Sequence, residues 1–432
     1  MDTSSEQKRV LLLFSPASYR ASPFVEAANR LGLEVVQGVD LPEALAEYWH
    51  VPLGLDFGNP EQAAGAIVAY AEKHPLHAII SVDDSASLLA ARASAALGLA
   101  HNSPDAALAA RDKYVMRQML AAGGVPVPWF RCFAATDDAA QVAAQVEYPC
   151  VVKPLRLSGS RGVIRADSPD ELIAAFTRTR KMLLADGSAP EGTSLLVERF
   201  IPGFEVALEG ILTDQKLNVL ALFDKPDPLD GPFFEETIYV TPSRLPPATQ
   251  AAIADCTTRA AAALGLRTGP VHAELRVNDA GAWIVEMAGR SIGGLCSTIL
   301  QFGVDMCLEE LILRQAVGLE IDSLDREEQA VGVMMIPIPG AGMLRGVQGA
   351  EQAQATPGIV GFEMTARLHN PVVPLPEGDS YLGFLFARGE SPAQVEAVLR
   401  KAHSKLKFTI EPLLPVISLT SVSRRASEAT SG

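Results

Sequence analysis

Residues 151–163, VVKPLRLSGSRGV, read as an apolar strand that runs into a Ser/Gly loop and leaves it through a second strand, GVIRA. Ser158, Gly159, Ser160 and Gly162 let backbone N–H groups and hydroxyls come close to phosphate oxygens. Lys153 supplies a point charge just before the loop. The GxxxxGK[ST] spacing is absent and no helix follows directly, so this is not a Walker A loop. Taken alone, the stretch is equally a hairpin turn with a solvent-facing lysine.

Two further segments downstream suit the same ligand. In LLVERFIPGFEV (195–206), Glu198 and Glu205 bracket Phe200 and Ile201. Such a run can meet a purine and its ribose, or it can be an apolar strand ending in ordinary surface acids. VHAELRV (271–277) and AWIVEMAGR (282–290) are strands joined by NDAG. Alternation puts His272, Glu274 and Arg276 on one face. Glu286 is expected to share its face with Ile284 and Ala288. A register that sets residue 274 opposite 286 brings the Cβ atoms to about 5 Å. That register needs a loop of about five residues; a two-residue loop would send the carboxylates to opposite faces. Two ionised carboxylates so close need a cation between them. Mg²⁺ takes one or two carboxylates and fills its octahedron with phosphate oxygens and water. The alternative is the polar face of a hairpin. Arg290, followed by Gly293-Gly294, can hold the oxygens of a transferring phosphoryl group or form a plain salt bridge.

The 432 residues exceed one ordinary core, and two to four domains are expected. Buried strands at 10–14, 33–37 and 77–82 alternate with helices at 24–31 and 62–73, the pattern of an open α/β domain. The turn after the first strand reads SPASYR, not GxGxxG, which speaks against a dinucleotide site. Ser103-Pro104 opens one long helix that stops at Gly123-Gly124. Residues 177–194 read as a polar connection and 224–236 as a mobile loop. Helices are expected at 249–264 and 305–317. An acidic linker (321–330) leads to a small α+β region with an amphipathic helix, SPAQVEAVLRKAHSKL, and a disordered tail at 419–432.

The formal net charge of −15 argues against a nucleic-acid or anionic-membrane binder. Five cysteines without CxxC spacing read as isolated thiols in a reducing compartment. The apolar run at 10–14 is too short for a signal-peptide core or a membrane span, so a cytoplasmic location is expected.

The order of these segments resembles the ATP-grasp superfamily of carboxylate–amine ligases, most closely over residues 111–319. The resemblance implies an α/β and α+β multidomain chain. An open parallel, Rossmann-like α/β domain (1–110) and a linking helix (111–125) would precede the ATP-grasp subdomains (126–195, the lid, and 196–320). A small α+β domain (321–418) and the tail (419–432) would follow. Carried over, Lys113 (in RDKYVMRQML) and Lys153 resemble the phosphate-binding lysines. Ser158, Gly159, Ser160 and Gly162 resemble the lid over the γ-phosphate. Glu198, with the backbone of Phe200 and Ile201, resembles the hinge that meets adenine, and Glu205 the ribose ligand. Glu274 and Glu286 resemble the Mg²⁺ ligands, with Mn²⁺ as an alternative ion.

Ala288 departs from the ExNxR pattern, where many members carry a metal-binding Asn. The run EMAGRSIGGLCS is most like the L-amino-acid (dipeptide) ligases. That family implies small-molecule carboxylate and amine substrates, ATP, an acyl-phosphate intermediate, and a homodimer. Arg290, with the N–H groups of Gly293 and Gly294, would stabilise the oxyanion. His272 is a candidate base by location only, and a structural hydrogen bond is the simpler role. Cys296 reads as a packed pocket residue. Three alternatives stay open: a carboxyphosphate-using carboxylase, a nicotinamide-dependent oxidoreductase and a non-catalytic ATP-binding sensor.

Overall fold

The computed structural model describes residues 7–413 except Pro190; the tail expected at 419–432 lies outside these residues. Strand Arg9–Phe14 pairs in parallel with Glu34–Asp40 on one side and Ala78–Ser81 on the other, and Leu53–Leu55 completes a four-stranded sheet. Val10, Leu11, Leu12 and Leu13 are all fully buried, because both faces of a parallel sheet are covered. One face packs toward the segment from Ile292 to Leu313, which draws the SPASYR turn over the rest of the molecule.

A second four-stranded sheet is antiparallel, in the order Phe130–Ala134, Ser194–Arg199, Cys150–Pro154, Ile164–Ala166. The expected hairpin around the Ser/Gly loop is its edge, with Cys150 opposite Ala166. The largest sheet has eight strands, running from the Gly281–Ala288 edge through Gly269–Asn278 and Phe204–Thr213 to Gly383–Gly389 and Ile359–Met364. Strands from both sides of residue 320 share it. Helix Pro247–Leu264 covers one of its faces through Ile253, Ala260 and Leu264, which pack on Val206, Leu208 and Val271. The opposite face carries Glu205 and Glu209 beside Ala207 and Ile211, which are buried in the same core as the first sheet.

Two sequence expectations change. The long helix from Pro104 is two helices, Pro104–Arg111 and Lys113–Ala122, broken at Asp112 in an extended conformation. The Asp112 carboxylate accepts from the N–H groups of Tyr114 (3.1 Å) and Val115 (3.3 Å) and so caps a fresh helix. The apolar periodicity continues across the break, so the pattern alone could not show it. The first half of the polar connection at 177–194 is helix: Pro169–Ala185 starts on a Ser168 cap and buries Phe176, Thr179, Met182 and Leu183.

The Asp112 cap sets Lys113 at the first position of its helix. Asp112→Ala should lower unfolding free energy by about 1–2 kcal/mol, measured by urea denaturation.

Candidate functional site

The site begins at the turn between Gly269–Asn278 and Gly281–Ala288. Only Asp279 and Ala280 form it, since Asn278 pairs with Gly281. A two-residue turn should have separated the carboxylates. A β-bulge between Glu274 and Leu275 on one strand and Ile284 and Glu286 on the other shifts the register, and Glu274 stands opposite Glu286 after all. The bulge corrects one further expectation. Ile284 turns into the core with Leu275, so it does not share the face of Glu286.

Each of these acids has a lysine beside it. Lys113 Nζ lies 3.0 Å from Glu286 and donates to the Leu157 carbonyl at 2.7 Å, at the start of the Ser/Gly loop. Lys225 Nζ lies 3.5 Å from Glu274, 2.9 Å from Glu205 and 2.5 Å from Glu236. Glu205, Glu236 and Glu274 have ligand oxygens within 4.8 Å of one another, and the Lys225 ammonium sits among all three. Burial opposes the charge on Lys225, and the surrounding acids outweigh it and raise its pKa. Glu236 is raised by burial and by Glu274, with Lys225 opposing.

Behind this row lies a buried triad. Arg117, 2% exposed, donates to Glu198 at 2.6 and 3.1 Å and to the Val285 carbonyl at 2.8 Å. Lys153 Nζ meets the same Glu198 at 2.7 Å. Burial alone would raise the Glu198 pKa; the two cations outweigh it and hold the carboxyl at about 2. Glu205 is likewise taken up, by Lys225 and by Arg276 at 2.8 Å. Arg276 also donates to the Ile201 carbonyl at 3.0 Å and lies over the Phe200 ring at 4.8 Å. The Phe200 N–H donates to the Pro149 carbonyl at 2.9 Å. Among the described residues, the Phe200 carbonyl and the Ile201 N–H have no partner.

Arg290 reaches across to the first sheet and donates to Asp84 at 2.6 Å, which with nearby Glu286 and Glu209 holds it protonated despite burial. Gly293 and Gly294 follow, and Gly294 adopts φ +62° against the Phe384 ring. His272 Nδ1 lies 3.2 Å from the fully buried Glu209, which also accepts from the Ile292 N–H. That is the structural hydrogen bond expected of it. Cys296 is buried with its Sγ 3.9 Å from Met335, and burial pushes its thiol pKa up, as fits a packed residue. Ala288 is the cross-strand neighbour of His272 and lines the same cavity.

The Ser/Gly loop is held by the C-terminal region. Gly162 N–H donates to the Pro376 carbonyl at 2.8 Å, and Arg161 to the Glu377 carbonyl at 2.7 Å. Gly162 has φ +72°, and a Cβ there would meet Pro154 at 2.7 Å, so no other residue fits.

Two cavities result. The smaller is lined by Lys113, Lys153, Phe200, Ile201 and Glu205; the larger, of about 530 Å³, by Ser158, Gly159, Arg290, Gly293 and Gly294. Glu274, Glu286 and Ser160 line both.

Comparison with known proteins agrees with this layout. The chain matches the ATP-grasp N-terminal domain over residues 25–101, the ATP-grasp domain over 146–299 and the L-amino acid ligase C-terminal domain 2 over 334–411. Its structure is similar to that of the L-amino acid ligase from Bacillus licheniformis, with a TM-score of 0.79 and 25% identity, covering 94% of this chain and 99% of that one. The chain is an ATP-grasp ligase. It is 26% identical to the alanine–anticapsin ligase of Bacillus amyloliquefaciens over 70% of this chain and 69% of that protein. It is 32% identical to the D-alanine–D-alanine ligase of Desulforudis audaxviator over 44% of this chain and 61% of that protein.

The site residues singled out from the sequence of this ATP-grasp ligase line one or both of the two cavities, except Gly162, which holds the loop from behind. Several site residues were missed. Arg117 lies four residues after Lys113, a spacing that puts both on one helix face, and that signal could have found it. Lys225 and Glu236 stand at the ends of the segment read as a mobile loop, and nothing local marks them as buried. Asp84 follows the 77–82 strand, but its partner is 206 residues away.

The triad makes two predictions. Arg117→Ala should cost about 3 kcal/mol, because Glu198 keeps only one of its two cations in a buried site; urea denaturation measures this. The Glu198 pKa is depressed on folding, so its contribution to stability is complete above its ordinary 4.5 and is lost as pH falls toward about 2. Wild type should therefore lose stability across that window more steeply than Glu198→Gln, followed by thermal unfolding.

Proposed function

We propose that the protein activates a small carboxylate with ATP and joins it to an amine, releasing ADP and phosphate. The observation that carries this reading is the junction of the two cavities at Glu274 and Glu286. One side is lined by lysines and an apolar ring, as a nucleotide needs. The other is a roomy chamber of mixed lining that ends at Arg290 and a glycine turn. A phosphoryl group bound at the junction faces a carboxylate in the larger cavity.

In the smaller cavity the free Phe200 carbonyl and Ile201 N–H are one acceptor and one donor, the pair an adenine edge requires. Lys113 and Lys153 meet the phosphates, and Arg117 and Glu198 fix the position of Lys153. The paired carboxylates offer hard oxygen donors of like charge, which fits Mg²⁺; Glu274 and Glu286 would hold it. When bound, Mg²⁺ neutralises phosphate oxygens.

A carboxylate oxygen attacks the γ-phosphorus, the bond to the bridging oxygen breaks, and ADP leaves. The Ser158–Gly162 loop covers the resulting acyl phosphate and excludes water. The amine nitrogen attacks the acyl carbon, loses a proton, and phosphate departs. Arg290, steadied by Asp84, and the N–H groups of Gly293 and Gly294 stabilise the oxyanion.

Glu286→Gln should cut ADP release by at least about a hundredfold in a screen over pairs of amino acids, with the variant still folded by circular dichroism. Near-normal ADP release from that variant would remove the metal-ligand role.

A further inference from the structure

We propose that the larger cavity selects an amino-acid substrate with a bulky apolar side chain, and that Tyr19 and Tyr381 read that side chain. The proposal rests on the ligase reading and narrows its substrate class.

One wall of the cavity is formed by Tyr19, Tyr239 and Tyr381 with Cys296 and Met335. Tyr19 belongs to the SPASYR turn of the first sheet, and Tyr381 comes from the far end of the chain. The fully buried Phe384 stands behind both, with ring centroids 6.0 Å from each and interplanar angles of 59° and 63°. Phe386 stacks on Phe384 at 6.3 Å. These edge contacts fix both tyrosine rings by packing, so the wall is preformed. Gly294 is part of the same fit, since a Cβ there would come within 3.0 Å of Phe384.

Only one of the three tyrosines uses its hydroxyl within the fold among the described residues. Tyr239 donates to Glu236. The Tyr19 and Tyr381 hydroxyls have no hydrogen-bond partner among the described residues, and Tyr19 remains 39% exposed on the cavity. A ring-lined wall with two rings uncovered is complementary to apolar surface, and burying it releases water from both partners.

The polar end of the ligand is matched separately. Asp83 accepts from Ser15 and Ser18; among the described residues it meets no cationic side chain at salt-bridge distance, and the Asp379 carboxylate has no hydrogen-bond partner. Both line the cavity and suit an ammonium group. Glu236, which lines the cavity with the rings, already holds Lys225. With the α-ammonium taken by Asp83 and Asp379, a cationic side chain laid on the rings meets Glu236 already paired with Lys225, and a methyl side chain leaves the rings uncovered.

Calorimetry with the whole protein in ADP and Mg²⁺ tests this, using L-phenylalanine, L-alanine and L-lysine as probes. L-Phenylalanine should bind at least about tenfold more tightly than either of the others. Tyr19→Ala, a change on an exposed loop, should erase that preference and leave ADP affinity unchanged; Tyr19→Phe should keep it. If L-alanine or L-lysine binds as tightly as L-phenylalanine, or if none of the three binds, the assignment is wrong. The ligase reading fails by a different result: L-phenylalanine bound selectively, yet no ADP formed from ATP with any pair of amino acids.

Discussion

Two like carboxylates on adjacent strands repel, and a carboxylate taken out of water is costly unless cations meet it. Much of this protein answers that constraint. Lys113 and Lys225 flank the Glu286 and Glu274 pair, and Arg117 and Lys153 close on Glu198. These cations come from three parts of the chain: Lys113 and Arg117 from one helix, Lys153 from strand Cys150–Pro154, and Lys225 from just after strand Lys216–Asp224. The charges can be buried only when helix Lys113–Ala122 and both antiparallel sheets come together. Electrostatic pairing and tertiary assembly are therefore the same event at this site.

The β-bulge beside Glu286 has a comparable reach. It reverses the facing of the strand at one point, so that Ile284 enters the core while Glu286 faces the cavity junction. The Val285 carbonyl, freed from regular pairing there, accepts from Arg117. One local irregularity thus aims an acid and receives the arginine that orders the neighbouring acid. Bulges next to polar sites commonly re-aim side chains in this way.

Distant parts of the chain complete the cleft. Asp84 steadies Arg290, Arg20 donates to the Val82 carbonyl and to Ser291, and Glu377 holds Arg161 and Arg178 beside the Ser/Gly loop. The SPASYR turn, which carries no phosphate-binding glycines, contributes Tyr19 to the larger cavity instead. The first sheet serves here as a wall for the site on the eight-stranded sheet.

The sequence by itself determined the strands around the Ser/Gly loop and the parallel first sheet, and it singled out Lys113, Lys153, Glu198, Glu205, Glu274 and Glu286 but not Lys225 or Glu236. Those readings rest on periodicity and residue chemistry, which are local. It could not determine the helix break at Asp112, because the apolar face runs straight through it and only the Asp112 cap marks the change. Nor could it locate the bulge, since a bulge depends on what the partner strand presents. The pairings Arg117–Glu198, Lys225–Glu236 and Arg290–Asp84 were decided by the tertiary structure alone. Burial is a property of the assembled chain, and a lysine or arginine looks the same in sequence whether it faces water or a buried carboxylate.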